Sequence, residues 1–485
     1  MFVLGEKRDL RVDFFRGLAL WWIFCDHIPG DVLGDYSLRN FALCDASEVF
    51  VLLAGFSAGS AYGSKMDRDG YGYAAVSVLH RAWTLFVAHV FLFVVYAAQV
   101  GYSANILGRF SYLDESHLDV LAGAPYRALL DALFLLYQPS LLNILPLYVV
   151  LLLIFAVALP LLRRPKCLLM LSMSLYFTVR AAGINLPSSL GGGWFFNPLA
   201  WQLLFVIGAM LAYAPVKMPE PRSLFDVVAV LILLIGLAII WIFWKHPSVL
   251  SILPESVARG VLWIDKTTLD PLRLISVLSL LWLTVRLVPR GADWLRSRWS
   301  APLVLMGQHS LPVFCVGIVI GFGGRLALEL NNGALIQLLV NVIGASSLVT
   351  VGALAAWSGD CLRRRRARDT TSQPDSNSKD MKISHAHALG HPVLDRQSAH
   401  SRALPLNDRT TIQEPCDGLC WGKLSLDRLH ALPPGVGAHA AEGGATYRVR
   451  LAAGLLQCSR SPRLVCSTFL TTHVLSSNGL QVLRR

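Results

Sequence analysis

Ten apolar segments run through this chain, at about 14–33, 46–63, 75–99, 144–162, 167–183, 199–214, 224–244, 272–289, 302–322 and 335–358. In a bilayer every backbone N–H and C=O must be satisfied inside the protein, so segments of this length and apolarity fold as helices. The expected fold is therefore an all-α polytopic membrane protein, a bundle of about ten transmembrane helices. Composition agrees: 54% of the 485 residues are hydrophobic and only 15% are charged, against about 25% charged in ordinary soluble domains. Mean hydropathy is +0.52.

The basic residues fall on alternate connections. Lys7, Arg8 and Arg11, then Lys65, Arg68 and Arg81, then Arg163, Arg164 and Lys166, then Lys217 and Arg222, then Arg286 to Arg298, and finally Arg363–Arg366 mark one side. The positive-inside rule makes that side, with both termini, cytoplasmic. The opposite connections, 34–45, 100–143, 184–198, 245–271 and 323–334, carry Asp35, Asp114, Glu115, Asp119, Glu255 and Asp265. Within 100–143, Tyr126–Tyr137 is too short to span and carries Arg127 and Asp131, so it reads as an interfacial or re-entrant helix.

The net charge of +12 resides mostly in residues 363–485, which hold 18 basic and 9 acidic residues. Two domains follow: a transmembrane unit over 1–362 and a basic, disordered cytoplasmic tail over 363–485. The tail lacks sustained periodicity and span-length apolar runs. Its Cys416 and Cys420 have no second ligand pair at zinc spacing, so no metal site is expected. Charge that reports orientation argues against a nucleic-acid partner. Nine scattered cysteines, several inside apolar runs, suggest no disulfide framework.

Chemistry is expected where ionisable side chains enter apolar sequence, because such groups are costly in lipid unless they line a cavity or pair. Arg16 and His27 are eleven residues apart, about three turns and about 16 Å of helix, so both leave one face of the first span. Glu48 starts the second span at comparable depth. An acid there could fix a histidine tautomer for general-base catalysis; bonding to hydroxyls inside the bundle is the alternative. Arg81 opens the third span and suits an anionic ligand from the cytoplasm, though positive-inside anchoring explains it too. His89 and His309 read first as structural hydrogen-bonding residues. Trp194, Asn197, Trp201 and Gln202 stand at the start of the sixth span, either as an interfacial aromatic belt or as a polar rim on a sugar opening. Gly55 and Gly59 suit close helix contact.

Arg16, ten residues and His27, followed by Glu48-Val-Phe-Val-Leu-Leu-Ala-Gly-Phe, resembles the membrane-bound acyltransferase type 3 superfamily. Leu10-Arg-Val-Asp13-Phe-Phe-Arg16-Gly, Ile144-Leu-Pro-Leu-Tyr148, Phe196-Asn197-Pro-Leu-Ala-Trp201-Gln202 and Gly307-Gln-His309-Ser-Leu are similar to its OpgC branch over about residues 8–360. That branch is associated with succinylation of osmoregulated periplasmic glucans. The resemblance implies an inner-membrane, multi-pass O-acyltransferase with acyl-CoA, succinyl-CoA foremost, as co-substrate, a periplasmic glucan as acceptor and no permanently bound cofactor. It implies His27 and Glu48 as catalytic residues, and Arg16, Arg81, Asp13, Asn197, Trp201 and His309 as substrate-binding ones. Where many relatives carry Arg-x-x-Arg at the start of the third span, Arg81 stands alone here with Trp83 nearby. A transporter of an anion or glycan is the rival class; the absence of a detectable repeat of broken helices speaks against it.

Overall fold

Short polar residues set the starts of the helices, and small residues set how closely they approach. A computed structural model describes residues 9–215, 224–246, 248–249, 254, 260 and 264–371, all within the first of two units into which the chain divides, residues 1–389. Lys7, Arg8, Lys217, Arg222, Glu255 and the tail beyond residue 371, with Cys416 and Cys420, lie outside the described residues.

Among the described residues there is no strand. The helices are α1 Leu10–Asp26, α2 Ala46–Asp69, α3 Tyr71–Leu107, α4 Ser111–Glu115, α5 Asp119–Gly123, α6 Pro125–Leu133, α7 Ile144–Ala158, α8 Pro165–Ala182, α9 Pro198–Tyr213, α10 Leu224–Ile239, α11 Pro271–Leu287, α12 Ala301–Gln308, α13 Ser310–Leu330 and α14 Ala334–Thr371. Each expected apolar segment thus contains a helix. The nine-residue α6 is too short to span at about 1.5 Å per residue.

Among the described residues, five helical stretches are long and apolar enough to cross a membrane: Tyr71–Leu107, Ile144–Arg163, Leu224–Phe243, Ser310–Leu330 and Ala334–Leu362. The count of ten is not reached by that measure, for a physical reason visible in α1 and α9. The 17 residues of α1 include Arg11, Asp13 and Arg16, and α9 has only 16 residues. The ninth apolar segment is also two helices, since His309 leaves helical geometry at φ −116°, ψ 42° between α12 and α13. α14 continues to Thr371, past the expected domain boundary at residue 362.

Packing in the centre depends on glycine. A Cβ at Gly55, Gly59 or Gly208 would overlap the carbonyl oxygen of Phe205, Ala209 or Leu52 respectively. This is the close α2–α9 contact that Gly55 and Gly59 suggest from the sequence. α1 and α12 meet in the same way, Gly17 against the Leu303 carbonyl and Gly307 against the Asp13 carbonyl. α3 packs on α7 and α2, α13 on α14, and α10 on α11. The Gly17→Ala variant should lose about 1–3 kcal/mol through overpacking, seen as a lower unfolding temperature of the detergent-solubilised protein. Gly101→Ala, where an added Cβ meets nothing within 4 Å, should leave the temperature unchanged or raise it slightly.

Candidate active site

The site is built from the start of α2. Asp45 caps that helix, its Oδ1 accepting from Ser47 N at 2.8 Å, and Glu48 returns the bond by accepting from Asp45 N at 2.9 Å. This reciprocal capping box satisfies two helix-start donors. It also gathers two carboxylates, and two cations from far along the chain answer them. Arg273 in the first turn of α11 donates Nε to Glu48 at 2.7 Å and Nη2 to Asp45 at 3.2 Å. Lys266 donates its ammonium to Asp45 as well. Glu48 is fully buried and Arg273 nearly so.

Lys266 is held in place by a turn that binds almost everything around it. Asp265 accepts from Thr267 N at 2.8 Å and from Thr268 N and Oγ1 at 2.7 Å. Burial works against the Asp265 charge, but these donors outweigh it and hold the carboxyl below its ordinary pKa. Trp201 Nε1 donates to the Lys266 and Thr267 carbonyls, both at 3.1 Å, Asn197 N donates to the Thr267 carbonyl at 3.0 Å, and Tyr176 OH donates to the Leu269 carbonyl at 2.6 Å.

His27 is the C-cap of α1, so it stands at a helix end and not midway along a span reaching residue 33. It lines a polar cavity of about 650 Å³ together with Asp26, Asp45, Ser47, His117, Gln138, Ser140, Lys266 and Thr267. The charged residues that line this cavity with it are Asp26, Arg39, Asp45 and Lys266. Across the cavity, His117 Nδ1 and Ser140 Oγ form a hydrogen bond of 2.7 Å. The non-glycine residues with positive φ among those described are His117, Leu135, Leu141 and Leu269. His117 and Leu141 line this cavity, Leu135 accepts from the lining residue Gln138 at 2.9 Å, and Leu269 ends the Lys266 turn. Backbone held in this region costs about 1–3 kcal/mol per residue and gathers at functional sites.

Arg16 and Arg81 meet in a second, small cavity of about 30 Å³ with Tyr148 and Ser310. Arg16 donates Nη2 to the Leu53 carbonyl at 3.0 Å and to Ser57 Oγ. Ile144 and Phe314 line both this chamber and the His27 cavity. The two are therefore neighbours across one wall, and Arg16 and His27 do share a side of α1.

Other candidates land elsewhere. Glu48 engages Arg273 and the Asp45 backbone, and the carboxylates on the His27 cavity are Asp26 and Asp45. Asn197 is fully buried as the α9 cap, accepting from Leu199 N at 3.1 Å and donating to the Ile184 carbonyl at 2.7 Å. Trp201 is also fully buried, so neither a membrane belt nor a sugar rim describes it: both residues brace the Lys266 turn. Asp13 is buried between α1 and α12 and accepts from Gln308 Nε2 at 3.4 Å. His309 occupies the break between α12 and α13, its N–H donating to the Leu305 and Met306 carbonyls at 3.2 Å. His89 is buried, and neither ring nitrogen has a hydrogen-bond partner, contrary to the bonded role expected of it.

Replacing Arg273 by Met should leave two buried carboxylates short of a partner and cost about 3–5 kcal/mol, since breaking a buried pair strands a charge. The double variant Arg273→Met/Glu48→Gln should recover part of that loss in a thermal unfolding assay of the solubilised protein.

The chain matches no curated protein and no solved structure. The family model described as OpgC protein matches residues 8–360, an interval that contains every residue of both cavities. With a match across well over half of its length, the chain belongs to the OpgC protein family.

Proposed function

We propose that this protein is an inner-membrane O-acyltransferase that moves an acyl group, succinyl foremost, from a cytoplasmic acyl-CoA to a hydroxyl of a periplasmic glucan. Family membership supports a glucan-modifying acyltransferase, and the alternation of basic connections supports ten spans with both termini cytoplasmic. The observation that carries the reading is the pair of chambers: a cationic one with Arg16 and Arg81 beside a larger polar one with His27.

In this mechanism Arg16 and Arg81 hold the anionic donor through guanidinium contacts to its phosphate or carboxylate groups. The glucan enters the larger cavity. One of its hydroxyls adds to the thioester carbonyl while His27 takes the hydroxyl proton, and the C–S bond breaks as the new C–O bond is completed. The coenzyme A thiolate leaves and the imidazolium returns the proton to it. Lys266 supplies positive charge beside the carbonyl oxygen, which becomes an oxyanion as the hydroxyl adds and before the thiolate is expelled, the kind of preorganised electrostatic help that dominates many acyl transfers. Glu48 acts at one remove, by holding Arg273 and Asp45 so that Lys266 stays in the cavity.

Purified protein given radiolabelled acyl-CoA and a glucan should place covalent label on the sugar. His27→Gln should lower kcat by about 10²–10⁴ with modest change in either KM, because it removes a proton acceptor. Arg16→Lys keeps charge and loses the planar fork, so it should raise the KM for acyl-CoA more than that for glucan. Normal glucan acylation by a well-expressed His27 variant overturns the general-base role.

A further inference from the structure

The wall between the two chambers bears on which acyl groups can be used. Ile144 and Phe314 line both cavities and are themselves nearly buried, at 8% and 5% exposure. The Arg16 side of that wall holds only about 30 Å³, room for one or two waters, whereas the His27 side holds about 650 Å³. Leu145 and Leu311 line the small side with them, so the residues at and next to the wall on that side include these four apolar ones. An acyl group carried by a donor bound at Arg16 and Arg81 has no room in its own chamber and reaches His27 by displacing these side chains. Both wall residues lie near helix starts: Ile144 is the first residue of α7 and Phe314 the fifth of α13, just after the break at His309. Movement of Ile144 disturbs few backbone hydrogen bonds, because the first turn of a helix has no intrahelical acceptors for its N–H groups, and Phe314 follows one turn after the break at His309.

We infer that Phe314, with Ile144, is the gauge of acyl length, and that it restricts the enzyme to short acyl donors of a few carbons. The inference rests on the acyltransferase reading above and adds the determinant of donor class. Phe314 bounds the space beside the reacting carbonyl and takes no part in proton transfer. Its truncation therefore changes which donors are accepted more than how fast the preferred one reacts.

The test uses the full-length protein in lipid nanodiscs with acetyl-, succinyl-, hexanoyl- and octanoyl-CoA and a glucan oligosaccharide, with products resolved by mass spectrometry. Phe314→Ala should raise kcat/KM for the six- and eight-carbon donors at least tenfold relative to succinyl-CoA. Phe314→Trp should lower every donor longer than acetyl. Should Phe314→Ala fold poorly, Ile144→Val and Phe314→Leu should shift the ratio in the same direction by a smaller factor. An unchanged donor profile in folded variants, with wild-type transfer intact, overturns the gauge and leaves the acyltransferase reading standing. Absence of transfer from every donor by the wild type overturns both.

Discussion

Four charges at the start of α2 tie distant parts of the chain together. Glu48 and Asp45 are two carboxylates three residues apart on one helix, and Arg273 and Lys266 are their counterions from more than two hundred residues later. Removing such groups from water costs several kcal/mol per ion, and mutual attraction offsets that only with good geometry and satisfied lone pairs. Here the geometry is supplied by the capping box, which already fixes both carboxylates before a counterion arrives. The cluster is neutral as a set, so it adds little to net stability. Its effect is positional: it ties α2 to α11 and to the turn that presents Lys266, and that turn forms one side of the His27 cavity.

The glycine contacts make this possible from the other direction. Where these helices meet backbone to backbone, their bulky residues pack to the sides of the contact, as Phe205 of α9 does against Tyr148 and Phe155 of α7. α9 is enclosed by α2, α7 and α8, and its Trp201 points out of that tight contact toward the 264–270 turn. A helix too short to cross a bilayer alone can sit there because its neighbours, and not lipid, surround it. Measured by length and apolarity, α1 and α9 fall short as spans, yet they carry or brace much of the site.

Much of this was legible in the sequence, and the remainder had identifiable causes. Apolar segments report helices directly, and Arg16 and His27 share a face because helical periodicity is local. Glu48 was legible as a buried acid but not as the partner of Arg273, since nothing in the linear order brings residue 48 to residue 273. A usable signal existed: Arg273 and Lys266 are cations in or beside one of the connections that the charge pattern leaves poor in Lys and Arg, and a cation out of place implies a buried partner. The positive-φ residues His117, Leu141 and Leu269 carry no such mark, because nothing about Leu or His announces a left-handed backbone. His89 shows the opposite failure. A histidine in an apolar span suggests a hydrogen bond by rule, and here the ring is buried without one.

The family's motif residues divide accordingly into those that touch the cavities and those that hold others in place. Asn197 and Trp201 belong to the second kind: one caps α9 and the other donates to two carbonyls of the Lys266 turn, and both are wholly enclosed. Asp13 lies where Gly307 meets α1, so the interface it serves also sets where Arg16 emerges one turn later. His309 breaks the helical backbone between α12 and α13, five residues before Phe314. A substitution at any of these would reach the cavities through a displaced neighbour. That is why a residue can be indispensable to the site while contributing no atom to its surface.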